Sequence, residues 1–385
     1  MYNFFKHHTM RKFTFLFTIV LFLASVSEAK IRRVGFFGSP VANTDYSTFA
    51  LAYTASVAND TILVFPNNAV SGTIAKKLTI IGPGNWLDPN STPKGNANLQ
   101  AFPGIATISN LIFDVGSDGS VIMGFYGGTI YVKDDNITIK RNRECDIYIT
   151  ALSPAGTITN LQILQNYHIS IRQQYNNASS CINMNISNNF FYYFNTPTGN
   201  TYNGNISNNI WAYDGTQTTN DLNGGSTTLS YPGAIDLGAG AYLLQNNIFL
   251  SYTNAAAASN YNYFTFANGG NSVFNYNLAL QSQTAINWGA GTGNVITPIA
   301  NAANVFTAFP LIGTTSADAR YQLKGGSPAL TAGAGSTAIG AFTGNYPYKL
   351  STIPTIPTIY ALSSPQGNNP PASTIQINVS KRGNN

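Results

Sequence analysis

A short apolar segment carrying an asparagine recurs five times along the chain, and this repeat constrains the fold more than any other feature. The copies are Leu164-Gln165-Asn166-Tyr167-His168-Ile169, Ile186-Ser187-Asn188-Asn189-Phe190-Phe191, Ile206-Ser207-Asn208-Asn209-Ile210-Trp211, Leu244-Gln245-Asn246-Asn247-Ile248-Phe249 and Val273-Phe274-Asn275-Tyr276-Asn277-Leu278. The first asparagines form the column Asn166, Asn188, Asn208, Asn246, Asn275, with steps of 22, 20, 38 and 29 residues. A looser copy precedes them at Ile139-Lys140-Arg141-Asn142. A period of roughly 20 to 25 residues, built from short β-rich segments without helical spacing, implies one stacked coil per repeat.

Stacked parallel strands place equivalent residues about 4.8 Å apart. A buried asparagine column can then hydrogen-bond from coil to coil, which offsets the cost of burying an amide. Asparagine also tolerates the left-handed backbone of a tight corner. The five first asparagines are therefore expected to form an inward ladder. The columns two before it (Leu164, Ile186, Ile206, Leu244, Val273) and three after it (Ile169, Phe191, Trp211, Phe249, Leu278) are uniformly apolar and should face the core. The mixed column His168, Phe190, Ile210, Ile248, Asn277 should face water.

Upstream, Thr44 or Asp45 can cap a short helix with Phe49, Tyr53 and Val57 on one face. Such a helix would cover the open strand edges of the first coil. Asn59-Asp60 turns into an apolar strand that Pro66 ends, and Leu78-Thr79-Ile80-Ile81-Gly82-Pro83-Gly84 supplies another strand and turn. This opening, with Asp60-Thr61-Ile62-Leu63-Val64, resembles that of pectate-lyase-like right-handed parallel β-helix proteins, and the Asn-bearing repeats resemble their internal coils. Arg320-Tyr321-Gln322-Leu323-Lys324, Gly326-Ser327-Pro328-Ala329-Leu330 and Ile339-Gly340-Ala341-Phe342 resemble a closing segment of secreted bacterial members. The resemblance implies an all-β chain, a right-handed parallel β-helix solenoid with an N-terminal capping helix, over residues 30–346. It does not carry an activity, because the superfamily hosts lyases, hydrolases, esterases, adhesins and coats. The Asn-Thr-Asp, Gly-Asp-Asp, Gly-His-Gly and Arg-Ile-Lys signatures of polygalacturonases are not in place. Neither are the Trp-Ile-Asp-His element of pectate lyases and the Gly-Phe-Gln-Asp elements of pectin esterases. No catalytic residue is carried over.

Residues 1–29 read as a secretory signal peptide: Lys6, Arg11 and Lys12 precede an apolar run over 13–24, and Ser27-Glu28-Ala29 offers a cleavage site. The expected location is extracellular or cell-surface, with no membrane span. The chain has 19 basic and 14 acidic residues, and cleavage leaves 16 against 13, a net charge of +3. That balance gives no footprint for nucleic acid, and nothing in it fixes an oligomeric state. Cys145 and Cys181 are expected in an oxidising compartment, either as buried thiols or as a disulfide. Residues 347–385, with Pro354, Pro357, Pro365, Pro370 and Pro371, read as an extended tail, in which residues 375–379 can add an edge strand or pack along the β-helix.

Two stretches, residues 85–104 and 214–240, interrupt the rhythm as loops, where repeat proteins usually keep function. Asp214, Asp221 and Asp236 in the second are the closest carboxylates able to gather a hard cation, set against a plain turn at Asp214-Gly215. Calcium enters only under a lyase alternative; otherwise no cofactor or metal is expected. Asp134-Asp135 beside Lys140, Arg141 and Arg143 reads as a charged corner. His168, the histidine left after cleavage, reads as a surface residue rather than a base. Trp86, Tyr213 and further tyrosines (Tyr192, Tyr193, Tyr252, Tyr261, Tyr263), with Trp288, are candidates for a sugar-stacking face. The expected function is a non-catalytic β-helix that recognises polysaccharide or forms part of a surface coat. The alternative is a polysaccharide lyase or glycoside hydrolase.

Overall fold

The computed structural model describes residues 29–36, 40–87, 96, 104–150, 156–173, 180–196, 201–214, 235–252, 266–267, 271–280, 288, 291–298, 301–308, 316–363 and 378–382. The apolar segments of the repeat form strands, and most successive strands alternate between two long sheets whose pairings are all parallel. The first sheet runs in hydrogen-bonded order from Asp45–Tyr46 through Ile31–Val34, Thr61–Val64, Thr79–Ile81, Val121–Met123, Thr138–Lys140, Gln162–Leu164, Ser180–Ser187, Tyr202–Ser207 and Ala241–Gln245 to Val273–Asn275. The second runs from Ala69–Ile74 through Thr107–Phe113, Thr129–Val132, Asp146–Ile149, Ile169–Gln173, Phe190–Asn195, Ile210–Asp214, Ile248–Tyr252 and Leu278–Leu280 to Val295–Thr297. Parallel neighbours cannot be joined by a hairpin, so each passage through both sheets forms one rung, and the arrangement is compatible with a parallel β-helix.

A tight corner links the sheets in each rung. Its first residue has a left-handed backbone, at Arg141, Gln165, Asn188, Asn208, Asn246 and Tyr276, with φ between 55° and 61°. The next residue points inward. Asn166 Nδ2 donates to Asn189 Oδ1 (2.9 Å), Asn189 Nδ2 to Asn209 Oδ1 (3.1 Å), Asn209 Nδ2 to Asn247 Oδ1 (3.0 Å) and Asn247 Nδ2 to Asn277 Oδ1 (3.0 Å). Asn142 and Asn294 continue the series at its two ends. The second amide hydrogen reaches a carbonyl of an earlier rung, as from Asn209 to Ile186 O (2.9 Å).

The ladder therefore runs one register away from the expectation. Asn166 belongs to it, but Asn188, Asn208 and Asn246 occupy the left-handed corner, and Asn275 pairs in the column of Gln245. Where two asparagines adjoin, the backbone at the first turns the second inward. Strand register shows why the columns slipped: Ile163 aligns with Ile186, Phe274 with Leu244 and Ala279 with Phe249. Leu164 and Val273 accordingly stand outside the main core, and Val273 is exposed.

The mixed column differs more sharply from expectation. Phe190, Ile210 and Ile248 point away from the main core yet are fully buried, because the C-terminal segment packs over them with Phe306, Tyr321, Ile339, Ala341 and Tyr348. Burial continues past the expected tail boundary to Ile353, and Thr358–Ser363 pairs antiparallel with Asn378–Arg382. The helix spans Phe49–Ala55, capped by Thr48 rather than Thr44 or Asp45, and buries Phe49 and Ala52 while Val57 lies exposed beyond its end. Asp45 is held in its strand by Arg33 Nε and Nη2 at 2.6 and 2.8 Å. Cys145 and Cys181 are separate buried thiols, each pushed up by burial and so held in the unreactive protonated form. No helix among the described residues is long and apolar enough to cross a membrane.

Candidate functional site

A groove of about 660 Å³ lies against the first sheet, floored by the strands within Ser180–Ser187, Tyr202–Ser207 and Ala241–Gln245 and walled by Gly344, Asn345 and Tyr346. Side chains alternate along a strand, so the residues between the buried Ile186, Ile206 and Leu244 line its outer face. They are amides and hydroxyls in registered columns: Gln162, Asn185 and Asn205 in one, Ser187, Ser207 and Gln245 in the next. Asn188, Asn208 and Asn246 from the corner complete the floor.

These groups are partly tied to one another. Asn185 Nδ2 donates to Gln162 Oε1 (2.9 Å), Ser187 Oγ to Asn185 Oδ1 (2.6 Å) and Asn205 Nδ2 to Ser207 Oγ (3.1 Å). The wall is fastened by Asn188 Nδ2, which donates to Ala341 O (2.8 Å) and Thr343 O (2.5 Å). Gly344 sits at φ +77°, and a β-carbon there would lie 2.5 Å from Asn208 Nδ2, so the close wall–floor approach requires glycine. The side-chain oxygens of Asn188, Asn205 and Asn246 are shielded from solvent and accept no hydrogen bond among the described residues. Each such orphaned acceptor costs about 1–3 kcal/mol. Among the described residues no lining residue carries a charge, and Leu243 and Tyr346 add exposed apolar surface at 36% and 46%. The floor can accept hydrogen bonds from hydroxyl donors and meet flat apolar faces, and among the described residues it holds no acid–base pair.

A second polar cluster lies beneath the C-terminal segment. Asp318, fully buried, accepts from Ser316 Oγ (2.5 Å), Asn96 Nδ2 (3.3 Å), Tyr348 OH (3.2 Å) and the Ser351 amide (2.6 Å). Burial outweighs these donors and raises its pKa above the usual carboxylate value. Burial also pushes the Tyr348 phenol up. Enclosed on every side, the carboxylate joins the loop after Thr79–Ile81 to the C-terminal segment and offers a substrate no approach.

The expected site residues divide in two. Trp86 is corrected: it is buried, edge-to-face with Tyr167 (4.8 Å) and covered by the Arg143 guanidinium (4.3 Å), so no sugar can stack on it. Tyr213 and Asp214 end the strand Ile210–Asp214 and Asp236 ends Ile235–Asp236, but their side chains lie outside the described residues. Asp221, Tyr261 and Tyr263 lie wholly outside them. Among the described residues no three His, Cys, Asp or Glu side chains gather closely enough to hold a metal ion. Arg141, from the charged corner, is buried, donates to Gln165 Oε1 and Ile353 O (both 2.8 Å), and is pulled down to about 10 by that burial. The groove itself was missed, although its signal stood in the sequence as Asn185, Asn205, Ser187 and Ser207 beside the repeat's apolar positions. Neither a protein-family profile nor a curated protein sequence matches the chain.

Proposed function

We propose that this chain is a secreted, non-catalytic right-handed parallel β-helix of the pectate-lyase-like kind, whose groove over the first sheet holds a polysaccharide, free or at a cell surface. The observation that carries the reading is the groove's lining of amides and hydroxyls with exposed Leu243 and Tyr346. Glycans need neutral hydrogen bonds together with flat apolar contact, and this lining offers both. The two parallel sheets with one tight corner per rung support the solenoid, and the helix Phe49–Ala55 is placed early enough in the chain to cover its first rung. Cleavage after Ala29 would release a chain beginning at Lys30, which mass spectrometry of the exported protein checks.

The test is a panel of neutral and acidic polysaccharides, scored for binding and, in parallel, for new reducing ends and for the ultraviolet absorbance of unsaturated products. Saturable binding without products is expected. Products that appear with calcium and vanish on chelation would replace this reading with the lyase alternative.

A further inference from the structure

We infer that the groove over the first sheet takes an uncharged, linear glycan laid across successive rungs and rejects chains bearing carboxylates; this rests on the glycan-binding reading above. Among the described residues its lining contains no ammonium or guanidinium to compensate an anion leaving water. Asn188, Asn205 and Asn246 line it with side-chain oxygens that accept no hydrogen bond among the described residues, and their negative partial charge disfavours a carboxylate close by. Asn188 is fully buried with its nitrogen committed to Ala341 O and Thr343 O, so the amide cannot rotate to turn a donor toward an anion.

The chemistry also repeats. Asn188, Asn208 and Asn246 mark three successive rungs, and Ser187, Ser207 and Gln245 align beside them. Parallel neighbours stand about 4.8 Å apart, so a ligand using the whole floor must present hydroxyls periodically over roughly 10 Å. A chain of sugars does this and a monosaccharide does not. Leu243 and Tyr346 supply the apolar contact for ring faces.

Calorimetry on the full chain should compare the best binder among β-glucan, galactan, mannan and xylan with the same polymer after its hydroxymethyl groups, or for xylan its ring diols, are oxidised to carboxylates. Oligomers of increasing length should be titrated alongside. Affinity for the neutral polymer should exceed that for its oxidised form at least tenfold and should rise with length through about three units. Asn205→Ala and Asn246→Gly should each weaken neutral binding by about tenfold without lowering the melting temperature, glycine preserving the left-handed corner at φ 58°. Equal or tighter binding of the oxidised polymer, monosaccharide binding as strong as the oligomer's, or unchanged affinity in both folded variants would overturn the inference and leave glycan binding standing. Failure of every polysaccharide to bind would remove that reading, and the inference with it.

Discussion

At residues 208 and 209 two identical side chains, one peptide bond apart, have opposite surroundings. Asn208 turns the corner at φ 55° and accepts one bond from Thr343 Oγ1 (3.3 Å), whereas Asn209 is enclosed in the ladder. Asn209 Oδ1 accepts both the backbone amide and the Nδ2 of Asn189, so Asn209→Leu strands two buried donors and the Ile186 carbonyl. A loss of about 3 kcal/mol is expected in urea unfolding, against less than about 1 kcal/mol for Asn208→Gly, which keeps the left-handed corner. Equal losses would mean that the ladder runs elsewhere. Asp318 makes a prediction of a different kind. Its pKa lies above the ordinary 3.8 when folded, so the folded state binds its proton more tightly than the unfolded state does. The stability this contributes is fully present below the unfolded value and is lost as pH rises through the folded one. Compared with Asp318→Asn, which does not titrate, the wild type should lose melting temperature as pH rises from below the ordinary 3.8 through the raised folded value. A constant difference across that range would remove the linkage.

Among the elements, the C-terminal segment does most to distinguish this chain from a bare pair of sheets. The corner residues hold it rung by rung: Arg141 Nη1 donates to Ile353 O, Gln165 Nε2 to Pro347 O (2.7 Å), Asn188 Nδ2 to Ala341 O, and the Gly340 amide donates to Asn246 O (2.9 Å). Between these ties Ile339 and Ala341 bury the outward Phe190, Ile210 and Ile248. Ile339→Ala should therefore cost about 3 kcal/mol in denaturant unfolding, as for any fully buried aliphatic side chain that leaves a cavity. A loss under about 1 kcal/mol would show that the segment is not part of the cooperative unit. The same segment forms the groove wall, so tethering and the wall of the proposed binding groove are built from one stretch of chain.

For the molecule as a whole, pairing is distributed along the stack, each described strand beside neighbours of its own. Ile210–Asp214 is held by Ile248–Tyr252, and Ile235–Asp236 by Phe190–Asn195, so both flanks of residues 215–234 have partners of their own. Replacing residues 216–230 by a short Gly-Ser bridge should keep the β circular dichroism signal and move the melting temperature by only a few degrees, because loop closure depends weakly on length. Loss of that signal would place the stretch inside the stack.

The repeat by itself determined the parallel β architecture, the existence of an amide ladder and the identity of most core positions, because strand periodicity and stacking are local in origin. Ile186, Ile206, Leu244, Phe191, Trp211 and Phe249 are buried as their pattern requires. Register was not local. Adjacent asparagines are chemically identical, and only the left-handed backbone at the first decides which one turns inward. The fate of Phe190, Ile210 and Ile248 was decided further away still: their partners Tyr321, Ile339 and Tyr348 lie from 73 to 158 residues downstream, and only the tertiary fold brings them together. The groove belongs to that level too, since its floor is written in the repeat while its wall, Gly344 to Tyr346, is brought there by the returning chain.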